Sequence, residues 1–132
     1  MAFESGRRAS HAFQVGEHDT ATALGSGDVP VLGTPRLLAW AEAVSVAALA
    51  GQLPVGATSV GSYVVVEHLA ASPVGVNVTV TATVTGGSGR SVEIGWEAVQ
   101  DGATVVGRGT VRRTIVDRER FLGRASGYPG SA

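Results

Sequence analysis

LLAWAEAVSVAALAG, residues 37–51, decides the fold. Its residues are apolar almost all the way round, and a helix of that kind needs cover on every side. Thr34-Pro35 supplies a start, a threonine N-cap followed by proline at the first helical position. The helix is expected to run to about Ala50, with Gly51 placed to end it. One ionisable group, Glu42, sits in the middle. Burying an unpaired carboxylate is costly, so Glu42 should be paired or neutralised. It is a candidate general base or water-positioning group; the competing reading is a glutamate at an interface or at the solvent lip.

The flanking segments read differently. SHAFQVG (10–16) is a first strand, and 17–33, with GSGDVP and LGTP, reads as loop. SYVVVEHL (62–69) is rich in β-branched residues and suits a strand. VNVTVTATVT (76–85) alternates with period two, setting Val76, Val78, Val80, Ala82 and Val84 on one face and Asn77 and four threonines on the other. GGSG (86–89) reads as a hairpin turn. RSVEIGWEAVQ (90–100) alternates again, with Val92, Ile94, Trp96 and Ala98 on one face. DGA (101–103) reads as a second turn, and TVVGRGTVRRTIV (104–116) as a last strand in which Gly107 and Gly109 allow a bend or bulge. The end, GRASGYPGSA, reads as a frayed tail.

The order is thus a strand, a long buried helix and four strands in a meander. Helix and strands that do not alternate argue for an α+β fold with an antiparallel sheet. A curved antiparallel sheet wrapped around the helix gives the cover it needs, which is the hotdog fold. One sheet covers only part of such a helix, so at least a dimer is expected, most simply a homodimer. The 132 residues make one domain, 1–132, with its core over 9–124 and a flexible tail over 125–132.

Composition bounds the function. Formal net charge is -1, which argues against nucleic acid or an anionic membrane as the main partner. There is no cysteine, hence no disulfide, thiolate nucleophile or cysteine-ligated metal. The N-terminal stretch has no signal-like apolar run, and 37–50 is too short to span a bilayer, so a cytoplasmic location is expected. His11 and His18 form no metal-ligand pattern with His68. No phosphate loop and no G-x-S-x-G elbow occurs. His68 closes a β-branched run and is either structural or catalytic. Thr34 is most simply an N-cap, although a helix N-terminus also favours developing negative charge. Thr34 and Glu42 lie roughly 12 Å apart along one helix. If both serve one site, either the substrate lies between them or they come from different subunits. All basic residues except the histidines are arginine, and Arg118 and Arg120 belong to a C-terminal group suited to bidentate phosphate contacts or to a solvated surface.

Three features together resemble the hotdog-fold thioesterases of the fluoroacetyl-CoA thioesterase-like family. They are Thr34 with Glu42 in the central helix, GSYVVVEHLAASPVG at 61–75, and DGATVVGRGTVRRTIVDRERF at 101–121. The resemblance spans residues 10 to 124. It implies hydrolysis of a small acyl-CoA thioester at a dimer interface, with no cofactor beyond the coenzyme A of the substrate. The family's catalytic threonine, glutamate and histidine fall on Thr34, Glu42 and His68. Its glycine near the thioester falls on Gly61, and its site-lining arginine on Arg113. His68 would then act as base or acid, Glu42 would orient His68 or water, and Thr34 would position the acyl group or water, or serve as nucleophile. Fluoroacetyl-specific members carry aromatic gating residues just ahead of the threonine. SGDVPVLGT (26–34) holds none, which leaves the acyl group open.

Two other classes compete. A non-catalytic acyl-CoA-binding domain would use the same pocket. A hotdog hydratase would need an Asp and a His in a D-x-N-P-x-H-like stretch, which the chain lacks.

Overall fold

The computed structural model describes residues 3–127. Strand β1 (Arg8–Gln14) leads through a 3-10 turn at Glu17–Asp19 and a one-turn helix α1 (Ala21–Leu24) into the long helix α2 (Thr34–Ala48). Strands β2 (Ala57–His68), β3 (Asn77–Ser88), β4 (Ser91–Gln100) and β5 (Thr104–Asp117) follow, and helix α3 (Arg118–Ser126) closes the described chain. The five strands form one antiparallel sheet in the order β1-β3-β4-β5-β2. The sheet packs on α2 in the hotdog arrangement. Among the described residues no helix is long and apolar enough to cross a membrane.

The alternation of β3 and β4 sets the core. Val78, Val80, Ala82, Val84, Val92, Ile94, Trp96 and Ala98 are buried, against Leu37, Trp40, Ala41, Val44 and Ala48 of α2. Phe13 of β1 stacks on Trp40, ring centroids 4.6 Å apart. Ser45 lies inside the core because its hydroxyl donates to the Ala41 carbonyl at 2.7 Å.

The four-strand meander needs correction. Only β3, β4 and β5 run as a meander; β2 crosses over to pair with β5 and ends at the sheet edge. There its centre, Gly61 to Val65, is exposed. The first hairpin turn is also displaced. Strand β3 continues through Gly86 and Gly87, and the turn is Gly89-Arg90 between the paired Ser88 and Ser91. The bulge expected at the glycines of β5 falls at Val106, where the β4–β5 register shifts. Segment 17–33 is tied down rather than free. Ala21 N donates to the Val31 carbonyl and Leu32 N to the Ser72 carbonyl, each at 2.8 Å. Of the segment read as a tail, the residues up to Ser126 belong to α3, whose start the Asp117 carboxylate caps by accepting from Arg120 N at 2.9 Å. The rest of the expected tail, 128–132, lies outside the described residues.

The sheet leaves one stripe of α2 open. Ala39, Ala43 and Val46 are exposed, as is Ala50 just past the helix end, and Val46 retains 49% of its surface. The helix that reads as apolar all round is therefore covered on one side only within one protomer.

Candidate active site

Thr34 is the first residue of α2 and not its cap; Gly33 occupies the cap position. The reason is steric. A Cβ at Gly33 would approach the backbone of Ala21 at 3.1 Å, so the close packing of the 19–24 segment calls for glycine there. Gly33 N donates to the Asp19 carbonyl at 2.8 Å, and Arg36 pairs with the Asp19 carboxylate at 2.9 Å. The Thr34 hydroxyl, freed from capping, lies 2.8 Å from His68 Nδ1 at the end of β2.

This pair sits in an open cleft of about 380 Å³ between the 26–34 segment and residues 68–71. Asp28, Val29 and Leu69 stand on its walls. Burial holds the His68 ring below its usual pKa of 6.5, and the smaller influence of the Ala70 carbonyl works the other way. The ring is therefore neutral near pH 7. With Nδ1 accepting from Thr34, Nε2 carries the proton. Nε2 is buried and makes no hydrogen bond among the described residues. A hydroxyl in contact with a neutral imidazole, at the positive end of a helix, suits proton removal and stabilisation of negative charge.

Glu42 belongs to a second cluster. Its Oε2 accepts from Arg113 Nη1 at 3.1 Å. Arg113 is buried, 7% exposed, and also donates from Nε to Ser59 Oγ at 2.8 Å and from Nη2 to the Ser59 carbonyl at 3.0 Å. Its guanidinium thus ties the Glu42 carboxylate to β2. Gly61 faces Arg113 across the β2–β5 pair, and a Cβ there would collide with the Glu42 carboxylate.

The structure thus brings Thr34 to His68, and Glu42 to Gly61 and Arg113, but keeps the two groups apart. Gly61 and His68 are separated along β2 by roughly 20 Å. Within one protomer the partner of Glu42 is Arg113, not His68. Arg118 and Arg120 open α3, and neither lines the Thr34–His68 cleft. Ser59 escaped the sequence reading, although the period of two that places Gly61 on the inner face of β2 also places Ser59 there.

The sequence profile of the fluoroacetyl-CoA-specific thioesterase family matches residues 15–119. The chain belongs to this family. A fluoroacetyl-CoA thioesterase of Streptantibioticus cattleyicolor is 33% identical over 123 residues, covering 88% of this chain and 87% of the relative. A solved structure of the fluoroacetyl-CoA thioesterase superposes with a TM-score of 0.89 at 30% identity, covering 96% of this chain and 97% of that one. A hot-dog-like protein of Thermanaerovibrio acidaminovorans gives 0.88 at 26% identity, covering 98% and 96%. As a member of the fluoroacetyl-CoA-specific thioesterase family, the chain is a thioester hydrolase.

Proposed function

We propose that the protein hydrolyses a small acyl-CoA thioester to the free acid and coenzyme A, at a site completed by a second copy of the chain. The observation that carries this reading is the 2.8 Å contact between Thr34 Oγ1 and His68 Nδ1 in an open cleft. A variant of the fluoroacetyl-CoA thioesterase solved with acetyl-CoA supports the substrate class. His68 takes the Thr34 proton as the hydroxyl oxygen attacks the thioester carbonyl. The C–S bond breaks, the thiolate leaves and takes up the proton, and Thr34 holds the acyl group. Water then attacks that ester with His68 again as base, which restores Thr34 and releases the acid. No cofactor is needed beyond the coenzyme A of the substrate, and the cytoplasm is the expected compartment.

The second copy is argued from two unpartnered surfaces. Strand β2 is an open edge whose exposed centre includes Val64 and Val65, and the stripe Ala39, Ala43 and Val46 of α2 lacks cover. Antiparallel pairing of β2 with itself about a two-fold axis between Val64 and Val65 sets His68 of one protomer opposite Gly61 of the partner subunit. Glu42 of the partner subunit then reaches the site, where its carboxylate orients the attacking water. The Gly61 backbone of the same partner lets the thioester carbonyl approach closely.

The test is thiol release from acyl-CoAs of graded length, fluoroacetyl included, by wild type and His68→Ala. Release that depends on His68 is the expected result. Tight acyl-CoA binding with no release from any of them would overturn hydrolysis in favour of a binding domain.

A further inference from the structure

Among the described residues four arginines are ion-paired: Arg36 with Asp19, Arg108 with Glu67, Arg112 with Glu93 and Arg113 with Glu42. Three others gather around one pocket of about 240 Å³ at the opposite end of β2 from His68. They are Arg90 from the β3–β4 turn, and Arg120 and Arg124 from α3. All three are exposed, and among the described residues none has an ion-pair partner. Asp117, whose carboxylate caps α3, also lines the pocket and keeps its negative charge, so three arginines against one carboxylate leave the lining positive. Arg118 does not line this pocket, and its backbone N–H donates to the Gly56 carbonyl at 3.0 Å. Pro54 and the fully exposed Val55 give the pocket an apolar lip.

We infer that Arg90, Arg120 and Arg124 form a binding site for the phosphates of the coenzyme A moiety. Three planar guanidinium forks converging from two elements suit a polyanion better than a single carboxylate. The apolar lip suits the flat base of a nucleotide. Position agrees with chemistry. The pocket begins at Ala57, four residues or roughly 13 Å along β2 from Gly61, where the thioester is held in the proposed dimer. An extended phosphopantetheine arm bridges that span. The inference rests on the acyl-CoA reading and assigns the nucleotide end of that substrate.

The experiment measures coenzyme A binding by calorimetry, together with the Michaelis constants for an acyl-CoA and for the same acyl thioester of N-acetylcysteamine, which lacks every phosphate. The proteins are wild type, Arg90→Glu/Arg124→Glu, and Arg8→Glu, an exposed arginine on β1 outside the pocket. The double variant should weaken coenzyme A binding and raise KM for the acyl-CoA at least about tenfold, while KM for the truncated thioester stays put. Arg8→Glu should leave all three unchanged. Equal values for wild type and double variant would overturn the site while leaving hydrolysis standing. Weakened coenzyme A binding in a protein that releases no thiol would keep the site and overturn hydrolysis. A wild type that does not bind coenzyme A at all would overturn the site, and its thiol release would then decide hydrolysis separately.

Discussion

The Glu42 carboxylate occupies the space that a side chain at Gly61 would need. The helix residue thus packs into the gap left by the missing side chain on the edge strand, and Arg113 fixes the carboxylate there. Glu42 lies in room that Gly61 leaves open and is held there by its ion pair with Arg113, as a group that must meet a substrate in fixed geometry should be.

Gly61→Ala tests this arrangement. The added methyl forces the carboxylate aside and away from Arg113, with an expected loss of about 1 kcal/mol of stability from the weakened pair. Thiol release should fall on the order of 100-fold, because the displaced group acts in the reaction. Circular dichroism and steady-state kinetics read the two effects. A Gly61→Ala protein with full activity would remove Glu42 from the site.

Arg113→Ala leaves Glu42 unpaired and the Ser59 carbonyl without its donor. Unfolding by urea should show a loss of about 1–3 kcal/mol. Arg113→Lys keeps the charge but not the fork and should lie between wild type and Arg113→Ala. If Arg113 bound substrate instead, the variants would raise KM and leave the urea midpoint alone.

Much of this was legible in the sequence. The alternation of β3 and β4 arises from one-sided burial against α2, and the apolar run of α2 supplies the facing side of that core while leaving an uncovered stripe. The place of β2 was not legible, because an edge strand with an exposed centre carries no periodic signal. Thr34 read as a cap because the approach of Gly33 to Ala21 is a tertiary contact. The Glu42–Arg113 pair joins residues 71 positions apart, and only the fold reveals it.

The lowered pKa of His68 fixes the pH response. Neutral His68 is the active base, so kcat/KM should fall on the acid side with a midpoint below 6.5. Stability follows the same sign. The depressed folded-state value gives a contribution fully present above 6.5 and lost as pH falls through the folded pKa. A pH–rate profile with its acid midpoint above 6.5 would contradict burial as the dominant influence on the ring.

Thr34→Ser keeps the oxygen beside His68 Nδ1 and should stay within about tenfold of wild type, whereas Thr34→Ala should lose roughly 10²–10⁴-fold. Rapid quenching followed by mass spectrometry should find the acyl group on Thr34. An alanine variant with near wild-type turnover would leave the attack to water alone.

The composite site is the central claim, and subunit mixing tests it most directly. His68→Ala and Glu42→Gln are each expected to be inactive as homodimers. Co-expressed in equal amounts, they form mixed dimers in which one of the two sites is intact, and about a quarter of wild-type thiol release should return. Activity no higher than that of the separate variants would mean that Glu42 and His68 do not meet across the dimer, and the account would fail at that point.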